Sequence, residues 1–384
     1  MALTLNESLD NLQLSGIRRI TAKAKQTPGC ILLTLGEPDG NTADAVKSEV
    51  ALSLEENDTH YPPNNGKDFL REAIAAHMGK RGLSYGPDDV IVTCGATEAL
   101  FVALTCVMNP GDEVIVPTPA FGLYESIVTL NRGVFVPLDT RTSSFQISEA
   151  ALVRAAGERT KAIVLTSPNN PTGCAYSNES LDAVARFARE HDVFVICDDV
   201  YASLVYDDAP YRGFACRYPD LRDRTIVCDS FSKPYAMTGW RLGWVAANGP
   251  LVAQMSKIHQ YMVSSVPSFV QRAAACALGQ DVSPACETYR ERRDYVLSRL
   301  ADMGLPCIHP QGAFYAFPSI EKFGMSSEEF CLRLIEEAGV ALVPGSCFSA
   351  EGFVRLSYCC STEAIRAGLD RLESFVRRLE GCPA

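Results

Sequence analysis

The chain has 384 residues and a mass of 41.7 kDa, room for two to three domains at roughly 150 residues each. Hydrophobic residues make up 47%, charged residues 21% and aromatics 9%, a globular composition that excludes a disordered chain, a collagen-like repeat or a coiled coil. Lys and Arg number 35 against 46 Asp and Glu, and the resulting net charge of −11 argues against nucleic acid and anionic membrane as partners.

The first segment carries Glu7 and Asp10 with no basic start, so it does not read as a signal peptide. No apolar run approaches the ~20 residues that span a bilayer. The Asn-x-Ser/Thr triplets at Asn6, Asn57 and Asn178 are therefore read as chance matches. Fifteen cysteines include no C-x-x-C pair, and the five histidines form no H-E-x-x-H pattern. Neither a disulfide framework nor a metal site is supported. The cysteines read as mostly buried small apolar residues in a reducing cytoplasm.

Between Val90 and Ala247 short β-rich runs alternate with helical stretches. Strands are predicted at Val90–Cys94, Glu113–Pro117, Ala162–Ser167, Val193–Asp198, Thr225–Asp229 and Arg241–Ala246, with helices over Ala96–Val107 and Glu179–Glu190. Several strands are continuously apolar, as in parallel strands covered on both faces. The alternation predicts a doubly wound α/β layer. After Pro284 the pattern changes to a long helix, Glu287–Met303, then strands at Gly312–Pro318, Val340–Pro344 and Phe353–Tyr358, and a final helix, Glu363–Leu379. This predicts a smaller α+β unit, with the first residues packing onto it. The expected division is a large domain of residues 40–282 and a small one from 1–39 and 283–384.

The sharpest chemical signal is Ser230-Phe-Ser232-Lys233 with Arg241 eight residues after the lysine. A lysine held at a strand-to-loop junction, its pKa lowered by a low-dielectric site, is suited to carry an aldehyde cofactor as an imine. Arg241 can fork onto a phosphate, and Ser230 can donate to it. Alone, the stretch reads far better as a surface loop with an exposed Lys and Arg. Val92-Thr-Cys-Gly95-Ala96-Thr97 ends a strand and opens a helix, where free amides can meet a phosphate or simply be capped. Asp198 sits at the carboxyl end of a buried strand, where a carboxylate is costly unless paired. Its neighbour Asp199 reads as a capping or solvated residue.

Together these blocks resemble the class I/II, fold-type I pyridoxal-phosphate aminotransferases, in the expected order over nearly the whole chain. The resemblance implies a fold-type I α/β architecture, a mostly parallel doubly wound sheet in a large domain plus a smaller α+β domain, with pyridoxal 5′-phosphate on Lys233. Gly95, Ala96, Thr97, Ser230, Ser232 and Arg241 would hold its phosphate side, Asp198 the pyridine nitrogen, and Asn170 and Tyr201 the phenolic oxygen. Phe121 takes the place of the ring that stacks on the pyridine, with Tyr124 as the local alternative. Gly36, Asn170 and Arg355 would receive the substrate carboxylate. Tyr61, in Tyr61-Pro-Pro-Asn-Asn-Gly66, would reach the phosphate of a neighbouring subunit, implying a homodimer. Gly40 and Ala43 replace the family's usual aromatic and proline near the site mouth, and Asp199 replaces a glutamate.

The implied reaction moves an α-amino group from an amino acid to a 2-oxo acid by a ping-pong course, with Lys233 as base. Ser15-Gly-Ile-Arg18, His259-Gln-Tyr261 and Ala338–Gly345 are most similar to bacterial aminotransferases for N-acetyl-LL-diaminopimelate. Aromatic, aspartate and alanine donors with 2-oxoglutarate stay open. A C–S β-lyase on the same scaffold is the alternative reading. A non-catalytic regulator is more remote, because no basic helix-turn-helix precedes the core.

Overall fold

The chain enters through helix α1 (Gly16–Lys25) and a two-residue strand, β1 (Ile31–Leu32). Helices α2 (Asp44–Glu55) and α3 (Asp68–Lys80) follow before the central sheet begins. The computed structural model describes residues 3–10, 12, 14–206 and 212–381.

Seven strands build that sheet: β2 (Val90–Thr93), β3 (Glu113–Thr118), β4 (Val134–Asp139), β5 (Thr160–Thr166), β6 (Phe194–Asp198), β7 (Thr225–Ser230) and β8 (Gly243–Ala246). Their order is β2-β8-β7-β6-β5-β3-β4. All pairs are parallel except those of β8, which runs antiparallel to both β2 and β7. Helices α4 (Ala96–Val107) and α5 (Leu123–Leu130) are among those that cover it. The fold is α/β, as its apolar strands predict.

Alternation along the buried strands sends Val195, Cys197 and Val227 into one apolar cluster and Ile196, Ile226 and Cys228 into another. Both faces of the sheet are therefore covered, which explains the unbroken apolar runs.

Strand β4 is absent from the sequence prediction. It lies at the sheet edge, is only partly buried and contains Pro137. An edge is where a proline is tolerated, because one side of the strand needs no ladder donor.

The C-terminal part holds β9 (Tyr315–Ala316), β10 (Val340–Ala341), β11 (Val343–Pro344) and β12 (Val354–Ser357). The single strand expected over Val340–Pro344 is two. Its first half pairs in parallel with β1, and its second half pairs antiparallel with β12, which also pairs with β9. Pro344 cannot donate to a longer ladder, and the chain changes partner at Leu342. Helices Ser283–Asp302 and Thr362–Leu379 pack with these strands around Phe314, Phe330, Leu356 and Phe375.

The cysteine reading needs correction in degree. Among the described residues five cysteines are buried and nine are partly buried, Cys94 among the latter; Cys382 lies outside them. None of the described cysteines is in a disulfide. No described helix is long and apolar enough to cross a membrane.

Candidate active site

A cavity of about 320 Å³ opens at the carboxyl ends of β5, β6 and β7, where open α/β sheets place ligands. It is lined by Gly36, Ala96, Thr97, Phe121, Asn170, Asp198, Tyr201, Ser230, Ser232, Lys233, Arg241 and Arg355. Chain segments up to 321 residues apart meet here. Two of the sequence-derived residues are not in the lining. Gly95 lies directly behind Ala96 against Arg241. Tyr61 is 91% exposed on the protein surface.

One end of the cavity is suited to a phosphate. Gly95 turns the chain from β2 into α4 with φ +79° and ψ 172°, a conformation open essentially to glycine alone. The first-turn amides of α4 have no intrahelical partners and carry the positive end of the helix dipole. Opposite them, the Ser230 hydroxyl donates to the Leu242 carbonyl at 3.0 Å and stands 2.9 Å from the Ser232 hydroxyl. Arg241 is held by its own Nη1, which donates to the Thr238 carbonyl at 3.0 Å.

Asp198 ends β6 in full burial. The Tyr124 hydroxyl donates to it at 2.6 Å and stands 2.5 Å from the Thr166 hydroxyl. Burial pushes the Asp198 carboxyl up to about 6, against the Tyr124 hydrogen bond, which lowers it. A carboxylate held there is matched to a cationic ring nitrogen. Tyr124, three residues past Phe121, thus holds the acid, while Phe121 lines the cavity with its ring edge-on to Tyr124.

Lys233 donates from Nζ to the Gly36 carbonyl at 2.6 Å. Burial lowers its pKa below the usual ammonium range, helped by Arg355 and Arg241 and opposed by Cys359 and Glu37. That shift favours the neutral amine, the form that attacks a carbonyl or takes a proton.

Arg355 is 2% exposed on β12. Its Nη1 donates to Asn170 Oδ1 at 2.8 Å and its Nη2 to the Thr34 carbonyl at 2.7 Å. Its guanidinium lies 4.5 Å from the Tyr315 ring centre and 5.0 Å from that of Phe348. With Asn170 Oδ1 occupied, the Asn170 amide N–H groups remain as donors. The Tyr201 and Tyr315 hydroxyls are 2.8 Å apart, and burial raises Tyr201 well above its ordinary value.

Asp199 corrects its sequence reading. It is buried, and its Oδ2 accepts from Arg81 Nη2 at 2.7 Å. Tyr124, Tyr315 and Arg81 were not foreseen in these contacts. Nothing local distinguishes Tyr124 or Tyr315 from a core aromatic, or Arg81 from a surface residue.

The family described as aminotransferase class I and II matches residues 28–372. The chain belongs to the class I and II aminotransferases. It is 41% identical over 379 residues to a Bacillus subtilis protein named "Probable N-acetyl-LL-diaminopimelate aminotransferase", covering 97% of this chain and 95% of that one. It is 38% identical to an aspartate aminotransferase of Pyrococcus abyssi, covering 98% and 99% of the two chains. The crystal structure of a Thermotoga maritima aspartate aminotransferase superposes with a TM-score of 0.93 at 36% identity, over 97% of this chain and 100% of that one. This aminotransferase uses pyridoxal phosphate, the cofactor of its family. The donor set fits that group: an amide-lined turn with Ser and Arg hydroxyl and guanidinium donors, a buried carboxylate and a partly buried amine share one cavity.

Proposed function

We propose that this aminotransferase transfers the α-amino group of an amino acid to a 2-oxo acid, with 2-oxoglutarate as acceptor, in two half-reactions at one site. The observation that carries the reading is the placing of the Lys233 amine in the same cavity as the Arg355 guanidinium, whose fork suits a carboxylate. Arg355, Asn170 and Gly36 orient the substrate α-carboxylate, which brings its Cα–H within reach of Lys233. Lys233 takes that proton and later returns it. Asp198 holds the ring nitrogen, and Asn170 and Tyr201 hold the phenolic oxygen. Gly95, Ala96, Thr97, Ser230, Ser232 and Arg241 hold the phosphate. When bound, pyridoxal phosphate supplies a sink for the electron pair left at Cα.

Donors on this reading are N-acetyl-diaminopimelate, aspartate, alanine or aromatic amino acids, and all but alanine appear in the names of relatives. Tyr61 would complete the phosphate site of a second copy. Its exposure, and that of Tyr261 at 88%, supports a homodimer. A small domain from residues 1–39 and 283–384 is supported by the pairing of β1 with β10. A cytoplasmic location accords with the absence of disulfides among the described cysteines.

The test is a donor panel, N-acetyl-diaminopimelate included, followed by absorbance as the bound cofactor passes from its aldehyde to its amine form. Addition of 2-oxoglutarate should reverse the change. No conversion with any donor would sink the reading, and release of pyruvate and ammonia from cystathionine without an oxo acid would favour the β-lyase.

A further inference from the structure

Behind the cavity lies a buried charge cluster that the reaction does not use. Consecutive residues of an extended strand face opposite sides. At the ends of β6 and β7, Asp198 faces the cavity while Asp199 and Asp229 meet on the other face of the sheet. There one side chain, Arg81, just past the end of α3, reaches both. Its Nη2 donates to Asp199 Oδ2 and its Nη1 to Asp229 Oδ2, each at 2.7 Å. Asp229 Oδ1 in turn accepts from the Ser230 amide at 2.7 Å, and the Asp199 amide donates to the Cys228 carbonyl at 2.8 Å.

The cluster therefore ties together two backbone positions, each one residue from a group of the cofactor site. Asp199 adjoins Asp198, and Asp229 adjoins Ser230. Both carboxylates are buried, with less than a tenth of their side chains exposed. Burial raises both, Asp229 to about 7, with Arg81 pulling each back down. The Asp199 charge also acts on Asp198, raising it.

We infer that Arg81 is a positioning residue for the cofactor site, clamping the ends of β6 and β7 and neutralising the charge behind Asp198. Without it, two nearly buried carboxylates lie back to back with the one that must stay ionised for the pyridine nitrogen. Each then either repels its neighbour or takes up a proton, and Asp198 and Ser230 lose their fixed setting. This rests on the cavity being the pyridoxal-phosphate site.

The test measures equilibrium binding of pyridoxal phosphate to the apoprotein, in wild type, Arg81→Met and the triple variant Arg81→Met, Asp199→Asn, Asp229→Asn. The single change should weaken binding by about tenfold, the effect of losing one charge-assisted hydrogen bond when Asp198 or Ser230 shifts. The triple variant keeps the space filled but removes the stranded charge, and should bind within about threefold of wild type, well under the loss of one such bond. Should Arg81→Met fail to fold, recovery of a folded, binding triple variant makes the same case. Wild-type affinity in Arg81→Met overturns the clamp, as does a triple variant that binds as weakly or stays unfolded. Wild-type protein that binds no pyridoxal phosphate would overturn the reading of the cavity along with it.

Discussion

Gly95→Ala is the change whose effect on this site follows most directly from geometry. At φ +79° and ψ 172° the residue occupies a region that non-glycine residues adopt at a cost of order 1–3 kcal/mol. That strain is present with or without cofactor, so it should lower apoprotein stability, seen as a fall of roughly a few degrees in Tm. The new methyl would stand 2.7 Å from Arg241 Nη2 and 3.1 Å from its Cζ. A guanidinium is the far end of a flexible side chain, so Arg241 swings away and the clash itself costs little. On the proposed reading its hydrogen bond to the phosphate would then be lost, which at about 1.5–3 kcal/mol for a charged pair corresponds to roughly 10- to 100-fold in affinity. Titration of the apoprotein with pyridoxal phosphate, beside thermal melts, separates the two effects. Gly243→Ala is the contrast: its methyl would meet the backbone at the Asp229 carbonyl, 2.7 Å away, and at Ala96 N, 2.9 Å away. Backbone cannot swing aside, so that variant should lose stability first. An alanine at 95 with cofactor affinity within about twofold of wild type, well under the single lost bond, would refute the placing of Arg241 on the phosphate.

Two further outcomes follow from the same geometry. Arg355→Lys removes the fork that bonds Asn170 and the Thr34 carbonyl, so the KM for amino donors should rise roughly 10- to 100-fold, while cofactor affinity, which Arg355 touches only through Asn170, falls far less; equal losses in both would contradict a substrate role. Asp229 is raised to about 7 by burial, above its unfolded value, so the stability it confers is fully present below about pH 4 and is lost as pH rises through 7. Asp229→Asn should therefore flatten the fall in apoprotein stability over pH 4–7 by up to about 1 kcal/mol per pH unit, and identical wild-type and variant profiles would show that Asp229 does not titrate there.

The sequence by itself determined the groups that lie close along the chain. Ser230, Ser232, Lys233 and Arg241 share one strand end and its loop, and Gly95 to Thr97 share one turn, so local chemistry announced them. Unbroken apolar runs likewise announced parallel strands, because covering a sheet on both faces demands them. The tertiary structure decided what no window along the chain contains. Arg355 meets Asn170 across 185 residues and Thr34 across 321, and only the fold shows that its fork is buried rather than paired at the surface. Asp199 read as solvated because its partner Arg81 is 118 residues away. Strand β4 was hidden by Pro137, and the Val340–Pro344 run was divided between two neighbours that only folding supplies. Periodicity and composition report how a segment is covered, whereas the identity of what covers it is a property of the assembled chain.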